Sequence, residues 1–365
     1  MANDPKTLHD LPRGVKVFID PHCRLTYASY YIQGLYDTFG REAVRFSGHR
    51  FLDIRRGNPF EAFDHYFSFM LEWPSGRRIR VAIDYHDSQS IDQGAYEWCD
   101  VYAKVNFSLS EAAGQAHPKL VLTSFMGCYR IWGPMETQYR LFSNLLRCGL
   151  KPLPGKKRFR KEYLKTLSNY SIAEVSAPSP ESSEEEGLPY VYHFSTLWES
   201  PFCMENTNPW RKRFIDACLE HSCRFEGGFF SFHPDDPKFD MYKGMIVGKP
   251  SMQEYMRGAK RSLIAFNTPS MHKCHGFKLH EYIVMGKAII STPFYNDMPV
   301  PMEHGRHIHF VDSIEGLRGA VSALLHDKGY RESLEKGSRS YFEAHATPAA
   351  SIRHILTSGA FKSLL

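Results

Sequence analysis

The sequence lacks several patterns that mark common classes of protein. None of its eight cysteines belongs to a Cys-x-x-Cys pair, and no uninterrupted apolar run approaches the roughly 20 residues that span a membrane. No internal repeat occurs at the period of a solenoid protein. Residues 1–5 do not resemble a secretory signal peptide. We therefore expect a cytoplasmic protein with free thiols, either soluble or bound peripherally to a membrane.

Two short stretches are rich in histidine and cysteine, but neither has the paired spacing of a structural zinc site. These stretches contain His272, Cys274 and His275, and Cys218, His221 and Cys223. A segment with two glycines, 244–250, also lacks the spacing and the Ser or Thr of a phosphate loop. We predict no metal site and no bound cofactor.

The size and charge of the chain limit its organisation. With 365 residues, 42% of them hydrophobic, it is long enough for two domains that each bury a core. A net charge of +5 permits anionic substrates or membrane surfaces without requiring nucleic acid. Segments with strand and helix periodicity succeed one another along the whole chain, which favours an α/β fold with two Rossmann-like lobes.

The N-terminal half begins with a β-α-β pattern. A strand at 14–20, a helix at 29–39 and a strand at 43–46 follow from the periodicity of the apolar residues. A further strand is predicted at 78–84. Trp98, Val101 and Tyr102 recur at helical spacing and predict a helix, which a short strand at 104–107 would follow.

Candidate bases follow two of these strands. His86 with Asp87, or His22 with Asp20, would lie at the carboxyl ends of strands, where open parallel sheets bind ligands. Imidazole titrates near neutral pH and a carboxylate can orient it, so either pair could act as a general base. A histidine at a strand end is also commonly structural.

An acidic segment divides the chain. Residues 177–187 are rich in Pro, Ser and Glu and cannot bury enough apolar surface to order themselves. We predict an N-terminal lobe at 1–175, a flexible linker at 176–188, a C-terminal lobe at 189–340 and a final helix at 341–365.

A basic run precedes the linker. It comprises Lys156, Lys157, Arg158, Arg160 and Lys161. Such a run is usually a solvated face. It could also contact anionic lipid headgroups or a lipid-diphosphate acceptor, or bind nucleic acid with the help of Phe159 and Tyr163.

The stretch from His275 to Pro293 is typical of a glycine-started helix that leads directly into a buried strand. Lys278 and Glu281 stand one turn apart on the face that does not pack on the sheet. Gly286 suits the left-handed position that ends a helix. Unpaired N–H groups and a partial positive charge at the helix start, together with the Lys278 cation, favour a phosphate, and Glu281 can accept hydrogen bonds from hydroxyls.

The order of these residues resembles the donor-binding half of GT-B glycosyltransferases, over roughly residues 190–350. In that family the helix glutamate holds the ribose of a nucleotide sugar and backbone amides hold the diphosphate. The resemblance implies donor-binding roles for His275, Gly276, Phe277, Lys278, Glu281, Ser195, Thr196 and Lys243. One departure is Lys273, which stands eight positions before Glu281, where many retaining members carry a second glutamate; the stereochemical outcome stays open.

The resemblance implies a GT-B architecture whose C-terminal lobe binds the donor and whose last helix returns to the first lobe. We expect a transferase that moves a sugar from a nucleotide diphosphate sugar to a glycan or lipid-linked acceptor. The chain contains no Asp-x-Asp triplet, with which GT-A glycosyltransferases hold a metal, so a metal-free mechanism is expected. The alternatives are a nucleotide-sugar epimerase or a phosphorylase on the same fold, and a basic nucleic-acid-binding protein.

Overall fold

The protein forms two compact units. The structure, a computed structural model, describes residues 14–56, 63–111, 117–124, 126–149, 153–181, 183–185 and 187–365. Unit 1 comprises the residues up to Ser171 together with Asp297–Val300 and His345–Leu365. Unit 2 comprises Ile172–Asn296 and Pro301–Ala344. Each unit contains parallel strands and helices, so the predicted α/β class is confirmed.

Unit 1 is built on a six-stranded sheet. Its strands are β1 (Lys16–Ile19), β2 (Val44–Phe46), β3 (Tyr66–Glu72), β4 (Arg78–Asp84), β5 (Val101–Lys104) and β6 (Leu120–Leu122). Its first helices are α1 (Leu25–Phe39), α2 (Gln93–Trp98), α3 (Pro134–Cys148) and α4 (Leu153–Thr166). The strand order is β2-β1-β3-β4-β5-β6, with β3 antiparallel to both neighbours and the other pairs parallel.

Two parts of unit 1 differ from the sequence prediction. Strand β3 was not predicted, because all its residues except Glu72 are buried and show no alternation of polar and apolar side chains. The helix predicted through Val101 and Tyr102 is wrong, since α2 ends at Trp98. Val101 and Tyr102 are instead extended, because β5 pairs with both β4 and β6 and all its residues are buried.

Unit 2 contains two three-stranded sheets. Its strands are β7 (Glu184–Glu185), β8 (Leu188–Thr196), β9 (Arg224–Phe230), β10 (Ile264–Asn267), β11 (Ala288–Ser291) and β12 (His309–Phe310). Its helices are α5 (Ile172–Ser176), α6 (Asn208–Glu220), α7 (Met252–Arg261), α8 (Phe277–Met285), α9 (Ile314–His326) and α10 (Lys328–Tyr341). Strands β10, β11 and β12 are parallel, as are β8 and β9. The amide of Leu263, just before β10, donates to the carbonyl of Tyr190 in β8 at 2.9 Å and brings the two sheets side by side.

Part of the predicted flexible linker is ordered. Strand β7 pairs antiparallel with the start of β8, with Glu184 opposite Pro189. Gly187 takes a positive φ of 76° in the turn between them, a conformation that costs glycine little. Residues 182 and 186 of the predicted linker lie outside the described residues.

The C-terminal segment packs within unit 1. It contains α11 (Pro348–Leu356) and α12 (Gly359–Lys362). The Tyr30 hydroxyl in α1 donates to the carbonyl of Ala346 at 2.7 Å. A Cβ atom added to Gly34 would lie 2.3 Å from the Pro348 carbonyl oxygen, so α1 and α11 touch through their backbones. In the described parts of the chain, no helix is long and apolar enough to cross a bilayer.

Candidate functional site

Helix α8 presents its N-terminus without a side-chain cap. Gly276 precedes its first residue in an extended conformation and supplies no side chain to bind the first amides. Leu279 and Ile283 are fully buried on the face that packs into the unit, and Gly286 ends the helix with a φ of 67°. Strand β11, which follows directly, is buried at every position. The predicted helix, its glycine stop and the buried strand are confirmed.

A cavity of about 380 Å³ lies beside this helix N-terminus, within unit 2. Its walls come from the end of β8, the start of α7, the end of β10 and the first turns of α8. Six of the predicted donor-binding residues line it: Ser195, Thr196, Gly276, Phe277, Lys278 and Glu281. The other two do not. Lys243 is exposed in the 3-10 segment Pro237–Met245, and the His275 ring packs edge-on against Phe294 at a centroid distance of 5.2 Å.

The ammonium group of Lys278 is buried in the cavity wall. Its Nζ atom has no hydrogen-bond partner among the described residues, although part of the side chain is accessible. The rings of Phe194 and Tyr255 lie 5.3 Å from it, at distances where a cation interacts with an aromatic face. Burial, reinforced by the Arg211 cation, lowers the pKa of Lys278 to about 7, and Glu281 opposes this shift only in part. An anion entering the cavity would supply the partner that this cation lacks.

Glu281 lies one turn further along α8. The Tyr255 hydroxyl donates to its Oε2 atom at 2.7 Å. Burial raises the pKa of Glu281 above its usual range, while the Tyr255 hydrogen bond and Lys278 oppose the rise. The carboxyl group therefore has a fixed direction and can accept further hydrogen bonds from hydroxyl groups.

Arg211 adds a second cation that sequence reasoning missed. It lies on α6 and is almost fully buried, with Nε donating to Thr268 Oγ1 and Nη1 donating to the Thr196 carbonyl, both at 3.1 Å. Burial lowers the pKa of its guanidinium to about 10. No local pattern marks it, because Lys212 and Arg213 follow it directly on α6, and only the fold buries Arg211 while it leaves those two side chains partly accessible. The cavity wall therefore holds one carboxyl group and three cations, of which Lys249 is exposed and the Lys278 ammonium and Arg211 are buried.

His193 extends the wall on β8. It is buried, and its Nε2 atom lies 3.3 Å from the Ser195 hydroxyl. Burial, followed by the nearby Lys278 and Arg211 cations, holds the pKa of His193 well below its usual range. A neutral imidazole at this position adds no further positive charge.

In unit 1, a buried ion pair supports the loop that carries His86 and Asp87. Lys104 Nζ lies 3.0 Å from Asp84 Oδ1 and donates to the Ser88 carbonyl at 2.8 Å. The His86 amide donates to Asp84 Oδ1 at 2.7 Å, and His86 Nδ1 lies 2.8 Å from the Ser88 hydroxyl. Asp84 and Lys104 thus position the loop rather than react.

His86 itself is partly exposed, as is Asp87. The His65 ring packs edge-on against it at 5.0 Å. Burial and then His65 lower the pKa of His86, which keeps the imidazole neutral and able to accept a proton near neutral pH.

Asp20 and His22, the other candidate pair, are also together. His22 Nδ1 lies 3.3 Å from Asp20 Oδ1, and Arg56 Nη2 donates to Asp20 Oδ2 at 2.7 Å. Burial acts to raise the pKa of Asp20, but the His22 and Arg56 contacts outweigh it and the pKa is lowered. The Asp20 carboxylate is therefore occupied by two partners inside unit 1.

The chain is distantly similar to several solved structures. No family model matches the chain, and no curated protein matches it. Among solved structures, Anabaena Alr3699/HepE in complex with UDP-glucose is similar with a TM-score of 0.40 and 10% identity, over 72% of this chain and 64% of that one. A glycosyltransferase from Rickettsia africae is similar with a TM-score of 0.41 and 10% identity, over 77% of this chain and 70% of that one. A putative UDP-N-acetylglucosamine 2-epimerase from Listeria monocytogenes has a TM-score of 0.32 and 14% identity, over 72% of this chain and 73% of that one.

These likenesses leave function to be argued from the residues themselves. The alignment spans less than two thirds of the Anabaena protein, and all three TM-scores lie below 0.5. The buried cations, the carboxyl group and the cavity of unit 2 are properties of this chain.

The nucleic-acid alternative is wrong in the two aromatic residues it names. Phe159 and Tyr163 are fully buried, with their rings stacked on each other at 4.9 Å, so they cannot stack on bases. The basic run on α4 is exposed throughout. In the described ranges no group of three or more His, Cys, Asp or Glu is placed to hold a metal ion.

Proposed function

We propose that the chain is a glycosyltransferase that takes a nucleoside diphosphate sugar as donor and a glycan or lipid-linked molecule as acceptor. The observation that carries the proposal is the buried Lys278 ammonium, which has no hydrogen-bond partner among the residues that the structure describes and lines a cavity at the start of α8, where Gly276 supplies no side-chain cap. A diphosphate is the ligand whose charge and oxygen atoms match that arrangement.

The proposed roles follow from position. Lys278 and the first amides of α8 would bind the diphosphate, and Arg211 would add to the positive potential. Glu281, directed by Tyr255, would accept hydrogen bonds from the ribose hydroxyls. Charge that develops on the leaving diphosphate would then be neutralised by groups already in place, which is the main way an enzyme lowers such a barrier.

His86 is our proposed general base for the acceptor hydroxyl. Its imidazole is neutral and partly accessible, whereas the carboxylate of the Asp20 and His22 pair is already bound by Arg56. Asp87, the next residue, is also accessible.

A thermal-shift screen tests the donor site. UDP, GDP, CMP and dTDP are each added to the purified protein in excess EDTA, since the proposed site supplies positive charge without a divalent metal. At least one nucleoside diphosphate should raise the melting temperature. At a hundred times its Kd, the bound nucleotide should add about 2.7 kcal/mol to the free energy of unfolding. Lys278→Met should remove the shift.

The control for that screen is Lys249→Met, which removes an exposed cation that also lines the cavity but is not at the start of α8. Lys249→Met should reduce the nucleotide-induced shift in melting temperature less than Lys278→Met does. Shifts that appear only when Mn²⁺ is restored would contradict the metal-free site. Product analysis with donor alone separates a transferase from an epimerase on the same fold.

A further inference from the structure

Helix α3 carries an exposed apolar stripe. Met135, Tyr139, Phe142 and Leu146 are 88%, 62%, 64% and 83% exposed. At 3.6 residues per turn these four side chains fall within an arc of about 60° along the length of the helix. Large apolar side chains scattered singly over a surface need no explanation, but a continuous stripe of four does.

The stripe is opposite the face that holds α3 on unit 1. Thr137, Leu141 and Asn144 are buried, and the Asn144 side-chain amide donates to the Tyr163 hydroxyl of α4 at 2.9 Å. The packing of α3 is therefore complete without the stripe. Among the described residues, the Tyr139 ring of the stripe contacts the Arg140 guanidinium on the same helix, at 5.8 Å.

Helix α3 and the helix that packs beside it carry mostly positive charge. The one acidic residue of α3, Glu136, is paired with Arg41 at 3.0 Å and with Arg140 at 3.3 Å, and Arg147 is exposed near the end of the helix. The next helix, α4, carries six exposed cations. They are Lys156, Lys157, Arg158, Arg160, Lys161 and Lys165. None of the six forms an ion pair with a carboxylate of the described residues.

We propose that α3 docks unit 1 on an anionic lipid surface, with the stripe entering the boundary between headgroups and acyl chains and the cations of α4 attracted to lipid phosphates. Amphipathic helices with aromatic and aliphatic side chains on one side and Lys or Arg nearby bind membranes in this way. The tyrosine and phenylalanine suit the headgroup level, where aromatic rings concentrate.

The charge also argues against a second copy of the chain as the occupant. A two-fold dimer through α3 would bring the same surface of each copy together, and α3 itself, with an exposed Arg147 and its one carboxylate already paired, offers no negative charge to complement a second copy. An anionic bilayer has the complementary charge, and binding to it does not depend on the donor site.

Vesicle flotation of the full chain tests the proposal. Vesicles of phosphatidylcholine alone are compared with vesicles that contain 30% phosphatidylglycerol, on the order of the anionic content that gives a surface potential of tens of millivolts. The wild type should float with the anionic vesicles and much less with the neutral ones. The double variant Phe142→Ser/Leu146→Ser should bind at least about tenfold more weakly, which corresponds to about 1.4 kcal/mol.

The matched control is Phe232→Ser/Leu52→Ser, which removes side chains that are 64% and 81% exposed elsewhere on the surface. It should bind like the wild type. Lys156→Gln and Lys157→Gln should each weaken binding to anionic vesicles about fivefold, the change expected for one cation near such a surface. Circular dichroism of each variant should match the wild type.

Three results would overturn the proposal. One is a wild type that does not bind anionic vesicles. Another is a control variant that loses as much binding as Phe142→Ser/Leu146→Ser. The third is a wild type that forms dimers in sedimentation analysis, together with a Phe142→Ser/Leu146→Ser variant that abolishes the dimers but binds anionic vesicles as well as the wild type. Helix α3 would then be an interface between copies.

Discussion

Glu281 receives a hydrogen bond from the Tyr255 hydroxyl, and this bond fixes the direction of its carboxyl group. Glu281→Ala should weaken nucleotide binding by about 1.5–3 kcal/mol, the range for a hydrogen bond to a charged group. Tyr255→Phe should weaken it less, because the carboxyl group remains but is no longer directed. Isothermal titration with the preferred nucleotide measures both.

A second tyrosine–glutamate pair in unit 2 provides the control. The Tyr190 hydroxyl donates to Glu226 Oε2 at 2.6 Å, and neither residue lines the cavity. Glu226→Ala should leave nucleotide affinity unchanged. If Glu281→Ala also binds nucleotide as tightly as the wild type, the ribose is held elsewhere.

The lowered pKa of Lys278 predicts how nucleotide affinity changes with pH. Its pKa is lowered to about 7, so its cationic fraction falls as pH rises above that value. Only the cation binds an anion well. Affinity for a nucleoside diphosphate should therefore fall about fifteenfold between pH 7 and 8.5, in proportion to the loss of the protonated form.

Titrations at intervals of half a pH unit measure this change. Lys278→Arg should bind with an affinity that is nearly constant over the same interval, since the guanidinium stays charged. A wild-type affinity that is flat from pH 7 to 8.5 would show that Lys278 does not bind the anion.

At the scale of the elements, Gly286 ends α8 in the left-handed region, with a φ of 67°. Gly286→Ala should destabilise the protein by about 1 kcal/mol, because a side chain is strained in that conformation. Gly319→Ala, in the interior of α9 with open space around it, should instead stabilise by about 0.5–1 kcal/mol. Chemical denaturation measures both, and equal effects of the two substitutions would contradict the assignment of Gly286.

Elements that are bounded by glycine or proline in the sequence could be predicted, and those that depend on pairing with neighbouring strands could not. Gly276, Gly286 and Pro293 bracket α8 and β11, and that region agrees with the prediction. Strand β3 has no alternation to reveal it, since both of its faces are buried. Val101 and Tyr102 have helical spacing, yet they are extended because strands on both sides pair with them.

The same limit applies to the cavity. Lys278 and Glu281 could be predicted because both lie on one helix near a glycine. Arg211 and Tyr255 come from α6 and α7, and only the packing of those helices brings them to α8. The exposed stripe of α3 is visible in the sequence as an apolar period, but the period alone indicates a buried face.

At the scale of the whole molecule, the proposed function divides the work between residues of unit 1 and unit 2. His86→Ala and Asp87→Asn should lower turnover, with loss of a general base costing about 10²–10⁴-fold, while donor affinity stays near that of the wild type. Lys278→Met should lower donor affinity as well. Steady-state kinetics with donor and acceptor varied separately distinguishes the two effects.

Full turnover in both the His86 and the Asp87 variants would place the base elsewhere, and His22 would be the next candidate. Gln89→Ala serves as the control in the same loop, because the Gln89 side-chain amide donates to Glu111 Oε2 at 2.9 Å and carries no titratable group near neutral pH.

Unit 1 is discontinuous along the chain, and this has a consequence for synthesis on the ribosome. Helix α11 packs against Gly34 of α1, and the carbonyl of Ala346, just before α11, accepts a hydrogen bond from the Tyr30 hydroxyl. Helix α11 is made only after residues 172–344. At about 5–20 residues per second, that interval lasts on the order of ten to thirty seconds. Throughout it, the apolar face of α1 that α11 later covers has no partner from its own unit, so the N-terminal unit cannot finish folding before the C-terminal one has been translated.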